Sequence, residues 1–268
     1  MVEVPLTWQL AKLGLSVSMV LGLSAIAVRA SPRIAGLLSG YPLGTALALF
    51  FIGLEISPTF ATQSAVHTLA GFTATMALGA GYVVTGRQPG IKGVISGVLG
   101  GFAAWLVMST LLAQFSFTRF SGTLVTLCAI GVFSWLFRSI PDVKSTASSA
   151  FSWPALAARA GLATVIIFAI TRIAHWLPPE WAGTLAAFPV TMLPFLLILH
   201  VGHGYAPVAT VIKHYPMGLG SLLSYTLCVS YTYSPLGLFW GTLAGFLAAT
   251  LWLLGWMQFT AWQQRRNA

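Results

Sequence analysis

Residues 32 to 71 recur at 179 to 218, which limits the chain to folds that can hold the same unit twice. At a constant offset of 147, Pro32, Ala35, Gly36, Leu38, Pro42, Leu49, His67 and Gly71 meet Pro179, Ala182, Gly183, Leu185, Pro189, Leu196, His214 and Gly218. A second block, with three residues fewer in the offset, sets Gly97, Leu99, Gly101, Phe102 and Ala104 against Gly241, Leu243, Gly245, Phe246 and Ala248. Both blocks keep their order. An odd number of membrane spans between equivalent positions turns one copy upside down, the inverted arrangement found in transporters and some channels.

Composition supplies the solvent. The chain is 57% hydrophobic and 6% charged, with a mean hydropathy of +0.86. A span needs roughly 20 apolar residues, so these values predict an all-α polytopic membrane protein, a single membrane domain of 268 residues. Nine spans can be read between the loop signals, at 8–28, 35–56, 60–84, 93–113, 121–139, 155–176, 182–203, 206–230 and 235–258. The first repeat takes residues 1–114, a linker helix and cytoplasmic loop take 115–152, and the second repeat takes 153–268. The first span resembles a secretory signal, with small residues around Ala25 and Ala27, but Trp8 aligns it with the sixth span through Trp153. Removing it would strip one element from one copy only.

Charge placement sets orientation. Arg29, Arg33, Arg87, Lys92, Arg138, Lys144, Arg159, Arg265 and Arg266, nine of the thirteen Lys and Arg, fall in loops or span ends on one side. The other side receives Arg119 and Lys12 with the acids Glu3, Glu55 and Glu180. The positive-inside rule then puts the C-terminus in the cytoplasm and the N-terminus outside, across a bacterial inner membrane. No clustered basic face exists for a phosphate backbone, which argues against a nucleic-acid partner. Cys128 and Cys228 both lie in apolar stretches and read as packed free thiols.

The strongest local signal is Gly36-Leu37-Leu38-Ser39-Gly40-Tyr41-Pro42, matched by Gly183-Thr184-Leu185-Ala186-Ala187-Phe188-Pro189. Each proline lies about eight residues into its span, about 12 Å deep in a core of about 30 Å. Proline donates no hydrogen bond and crowds the carbonyl four residues back, so Leu38 and Leu185 are expected to present freed carbonyls. Pro194 adds a further break. Paired breaks at mirrored depths resemble the discontinuous helices of transport sites, with Tyr41, Pro42, Phe188 and Pro189 lining the site; the alternative is a pair of plain packing kinks.

His67 and His214 occupy equivalent positions in the third and eighth spans, and a pseudo-two-fold axis would bring both to mid-depth in a shared central region. Ionisable groups there point to an ion or proton path; a neutral histidine bonded to a kinked carbonyl is the structural alternative. Lys213, where the first copy has Val66, would bias the frame toward negative substrates, or would reach a headgroup. Glu55 ends the second span and joins His67 and His214 as a proton-coupling candidate; its copy position is Gly202. His200 and His203 are three apart but lack a carboxylate or third ligand, so no metal or other cofactor is expected, and both are placed at the cytoplasmic end of the seventh span. Arg172 and His175 are expected to pair with Glu180.

Gly93, Gly97 and Gly101, with Gly241 and Gly245 in the copy, form small-residue stripes for helix packing. Trp8, Trp153, Trp176, Trp181 and Trp262 lie near span ends as interfacial anchors. The segment 140–152, with Asp142 and Lys144, reads as a cytoplasmic hinge or tether.

At the Ala-Gly, four residues, aromatic-Pro pattern the chain resembles the GlpM-type family of small bacterial inner-membrane proteins. Ala182, Gly183, Phe188 and Pro189, then Thr191 and His200, carry the resemblance best; Ala35, Gly36, Tyr41 and Pro42 give a weaker copy of it. In the family a threonine follows the proline directly, whereas here Val190 or Leu43 intervenes. The resemblance covers about forty residues per half and implies that one small unit was duplicated and fused. It transfers no catalytic residue.

Together these readings favour a secondary transporter of a small anionic solute or lipid headgroup, coupled to protons through His67, His214 or Glu55, with membrane lipid as a partner and a homo-oligomer open. A passive ion channel and a non-transporting scaffold on the same frame remain alternatives. No Gly-x-Ser-x-Gly elbow, His-Glu-x-x-His pair, phosphate loop or carboxylate dyad is present, so an enzyme is not expected.

Overall fold

The computed structural model describes residues 6–27, 40–143 and 153–266. The described residues are helices joined by short turns, without strands. In chain order the helices are α1 (Leu6–Ala27), α2 (Leu43–Glu55), α3 (Pro58–Thr85), α4 (Gly90–Leu112), α5 (Arg119–Phe137), α6 (Trp153–Ala174), α7 (Pro179–Ala186), α8 (Met192–His203) and α9 (Tyr205–Arg266). Five stretches, Pro58–Thr85, Gly90–Leu112, Arg119–Phe137, Pro154–Ala174 and Tyr205–Phe259, are long and apolar enough to cross a membrane. Leu43–Glu55 and Met192–His203 are shorter apolar helices.

Local chemistry sets the helix ends. Ser57 caps α3 by accepting a hydrogen bond from Phe60 N at 3.1 Å, and Pro58 follows at a position where its missing N–H costs nothing. Thr118 and Ser121 form a reciprocal capping box at the start of α5. Gly204, at φ 78°, ends α8 with its N–H on the His200 carbonyl, a conformation that a side chain would resist.

The longest helix differs from the sequence reading. The turn expected at 231–234 is helical, and the interruption lies at Gly237, whose φ of 76° and ψ of 171° are accessible essentially to glycine alone. Residues 205–236 and 238–266 are thus two arms meeting at one backbone hinge.

α3 is the hub. It packs against α4, α5, α7 and α9, and its small residues are what allow so many neighbours. Gly122 brings α5 onto Leu69, and Thr126 Oγ1 donates to the Leu69 carbonyl. The glycine stripes do what their spacing predicts: Gly97 faces the Tyr82 ring, Gly101 faces Leu78, Gly241 faces Tyr233 and Gly245 faces Tyr225. The outward faces are apolar rather than charged. Ile91, Ile95, Leu99, Phe102 and Leu106 leave α4 exposed along one side, a surface suited to hydrocarbon. Trp8, Trp176 and Trp262 are also exposed, near helix ends, while Trp181 is half-buried; the Trp153 side chain lies outside the described residues. Cys128 and Cys228 are free.

Candidate functional site

Pro42 and Pro189 lie at turns, as expected, whereas Pro194, expected to add a further break, sits in the first turn of α8, where its missing N–H interrupts nothing. Residues 40–42 form a turn from which α2 starts, with Pro42 as its N-cap residue. The span read at 182–203 is two helices, α7 and α8, separated at 187–191. The turns share one hydrogen-bond pattern. Leu43 N donates to Tyr41 O at 2.8 Å and Val190 N to Phe188 O at 2.7 Å, both spanning two residues as in a γ-turn. Ala46 N then donates to Pro42 O at 2.7 Å and Leu193 N to Pro189 O at 2.9 Å, which starts the following helix.

The expected free carbonyl at Leu185 is corrected by this geometry. Phe188 N donates to Leu185 O at 2.9 Å, because the tight last turn reclaims the carbonyl that proline would have left open. The polar group actually offered to a neighbouring helix is the Ala187 carbonyl, which accepts from Thr75 Oγ1 at 2.5 Å. The Gly183 carbonyl accepts from Thr68 Oγ1 at 2.9 Å. Leu38 lies outside the described residues.

Close backbone approach locks both turns to the rest of the molecule. A Cβ on Gly40 would overlap the backbone of Gly218 in α9. A Cβ on Gly71 would come within 2.9 Å of Ala187 Cβ and 3.2 Å of Thr184 Cα. A Cβ on Gly183 would overlap the Ser64 carbonyl and sit 2.8 Å from His67 Cβ. Between the turns is a cavity of about 10 Å³, lined by Tyr41, Gly44, Thr45, Phe188, Pro189, Thr191 and Tyr215, among others. That is room for about one water molecule.

The aromatic residues of the turns are clamped in the same manner. Tyr41 stacks on Phe246 at 6.1 Å between ring centroids, and its hydroxyl is 3.0 Å from Thr250 Oγ1. Phe188 meets Phe102 at 5.9 Å and Trp105 at 5.4 Å. The cavity therefore gathers Tyr41, Phe188 and Pro189 of the expected set, while Pro42 serves as the N-cap of α2.

The histidines do not join them. His67 lies beside Glu180, with Nε2 to Oε1 at 3.9 Å, and against the edge of Phe117 at 6.4 Å. His214 Nε2 is 2.9 Å from Asp142 Oδ1, and Lys213 donates to the Ile140 carbonyl at 2.6 Å while sitting 3.3 Å from Asp142. In place of the expected shared histidine region are two separate acid–base contacts, one between α3 and α7 and the other between α9 and the segment after α5. The His214 hydrogen bond, aided by Lys213, holds the Asp142 carboxyl below the ordinary carboxylate range. Asp142 belongs to the expected tether; Lys144 and the rest of that segment lie outside the described residues.

Glu55 occupies the most unusual electrostatic position. Only 2% of its side chain is exposed, and it pairs with Lys12, itself 4% exposed, rather than facing outward at a helix end. Its other oxygen is 3.4 Å from His175 Nε2. Lys12 also donates to Thr171 Oγ1 at 2.7 Å and lies near the faces of Phe51 and Phe168. The cluster joins α1, α2 and α6. It overturns the expected pairing of His175 and Arg172 with Glu180: His175 turns to Glu55, Arg172 lies 6.0 Å from the Trp176 ring, and Glu180 faces His67. His200 and His203 lie in the last turn of α8, His200 buried with Nδ1 2.8 Å from the Tyr82 hydroxyl and His203 exposed.

Sequence reasoning missed Lys12, Thr75 and Tyr215. Lys12 had a signal, since an uninterrupted apolar span around a lone lysine calls for an internal acid. Thr75 had none. No family model, curated protein or solved structure matches this chain.

Proposed function

We propose that the protein is a membrane-embedded secondary transporter of a small anionic solute, built from two inverted copies of one four-helix unit about the linker helix α5. The observation that carries this reading is reciprocity. Gly40 touches Gly218 and Ala187 touches Gly71; adding 147 to one member and subtracting it from the other converts the first contact into the second. Tyr41 with Phe246 likewise converts into Phe188 with Phe102 through the two offsets. Swapped contacts of this kind are what a pseudo-two-fold axis between copies generates, and inverted repeats with broken helices at the axis characterise alternating-access proteins.

In this reading the small cavity between the turns is the collapsed form of the solute site, which opens as one copy rocks against the other. Proton coupling falls to Glu55 rather than to His67 and His214: protonating Glu55 dissolves the Lys12 pair that ties α1, α2 and α6 together. The GlpM-type pattern at both turns and the orientation with an external N-terminus in a bacterial inner membrane belong to the same proposal.

Reconstitution tests it. Vesicles containing the full chain are given phosphate, chloride or acetate in turn, with and without a pH gradient. Saturable, gradient-dependent uptake of one anion, lost in Glu55→Gln at equal amounts of folded protein, is the expected result. Sustained single-channel currents with no saturation would overturn the transporter in favour of a channel, and no flux for any anion would favour a scaffold.

A further inference from the structure

The offset that relates the two turns also relates Lys12 to Arg159, since 12 plus 147 is 159. The equivalence holds in position: each cation is six residues beyond the first residue of its helix, α1 or α6. It fails in partnership. Lys12 meets Glu55, but the residue equivalent to Glu55 is Gly202, which has no side chain to offer.

Arg159 is nonetheless buried, at 4% exposure. Its guanidinium carbon lies 4.6 Å from the centre of the Phe195 ring of α8, and its Nε is enclosed without a hydrogen-bond partner. Among the described residues no acid pairs with it. Glu55 is held by Lys12 and His175, Asp142 by His214 and Lys213, and Glu180 faces His67; the fourth acid, Glu3, lies outside the described residues. A guanidinium does not escape burial by losing its proton, so its charge must be met by something else.

We propose that Arg159 is an anion-binding site, holding a carboxylate or phosphate group from outside the chain where the first copy uses Glu55. One face of the guanidinium is covered by Phe195, leaving the edge of the fork, the part that takes two oxygens of a planar or tetrahedral oxyanion. The residue lies about 9 Å along α6 from its first residue, a distance over which either a free anion or a lipid phosphate can reach it. The site stands on the burial and isolation of Arg159, so it does not require the transport reading to hold.

The test uses the full chain, delipidated in a neutral detergent and free of phosphate and carboxylate buffers. Inorganic phosphate and acetate are titrated calorimetrically, and the unfolding midpoint is followed in parallel. Binding at about one anion per chain is expected, with a midpoint rise of about 5 °C at a hundredfold excess over Kd. Arg159→Gln should weaken binding at least tenfold, and Arg159→Met should remove the anion dependence while being no less stable than the parent in anion-free buffer. If neither folds, Arg159→Lys, which keeps the charge but loses the fork, should bind more weakly than the parent. A second arm compares discs of phosphatidylcholine with discs containing phosphatidylglycerol. Stabilisation of the parent but not of Arg159→Gln by phosphatidylglycerol alone identifies the anion as a lipid headgroup. Unchanged binding in the Arg159 variants, or no anion or headgroup dependence in the parent, overturns the proposal.

Discussion

Removing the Glu55 carboxylate should be among the most damaging single changes available to this chain. In Glu55→Ala the Lys12 ammonium would keep only Thr171 Oγ1 at 2.7 Å and the rings of Phe51 and Phe168 at 5.3 and 4.8 Å. With 4% of the lysine side chain and 2% of the glutamate exposed, water cannot replace the lost partner. Breaking a buried pair by removing one member costs about 3–5 kcal/mol. At about 2–4 °C per kcal/mol, the midpoint should fall by roughly 10 °C. Deleting both charges is a different perturbation. Lys12→Met with Glu55→Leu exchanges the pair for apolar groups of similar bulk and should return to within about 1 kcal/mol of the parent. Tryptophan emission during heating in detergent, at one fixed scan rate, measures the parent, Lys12→Met, Glu55→Leu and the double variant, which form the cycle. A double variant as unstable as the sum of its singles would refute the pairing, since uncoupled sites add.

Gly183→Val should prevent folding or lower the midpoint by more than 10 °C, because its Cβ would overlap the Ser64 carbonyl; Gly131→Ala, which meets nothing within 4 Å, should be neutral, and equal effects in melting curves would refute the contact. Thr75→Val leaves the buried Ala187 carbonyl unpaired and should cost about 1–3 kcal/mol, whereas Thr75→Ser should recover most of it in the same assay. The Asp142 carboxyl is held below its ordinary value of 3.8, so its contribution is complete above that pH and is lost as pH falls through the depressed value. The midpoint difference between the parent and Asp142→Asn should therefore shrink on titration from pH 6 toward pH 2, and a difference that grows would refute the assignment. Cysteine labelling in intact cells should reach a residue placed before Trp8 from outside and one placed after Trp262 only from inside; both termini on one face would remove the inverted arrangement.

The breaks at Pro42 and Pro189 were legible because proline removes a backbone donor and each follows a paired Ala-Gly pattern; proline alone was not enough, since Pro216 and Pro235 lie inside α9 without ending it. Which carbonyl would be exposed was not legible, since Leu185 depends on how tightly the preceding turn closes around Phe188 N. The histidine expectation failed for a geometric reason. The sequence repeat makes His67 and His214 equivalent, but equivalent positions need not meet, and Glu180 takes up one histidine while Asp142 takes up the other. Glu55 was recognisable as an ionisable group out of place, while Lys12 read only as a charge on the outer side; the structure buries it as the partner of Glu55. The Gly97, Gly101, Gly241 and Gly245 stripe needed no structure to interpret, because a four-residue spacing of glycines has few uses on a helix other than contact.

The hydroxyl of Thr75 has no counterpart in the other half. It holds the Ala187 carbonyl, whereas the position 147 residues later is Leu222, an apolar residue beside the cavity that can hold nothing by hydrogen bonding. Two identical halves exchanging roles would spend equal time facing each side of the membrane. Here the two turns are tied differently, one by the Thr75 hydroxyl on its backbone carbonyl and the other by the Tyr41 hydroxyl beside Thr250, and a difference of about 1 kcal/mol between them tilts a two-state equilibrium about fivefold. On the proposed frame, this unequal tethering of the two turns would bias which side the empty protein rests toward.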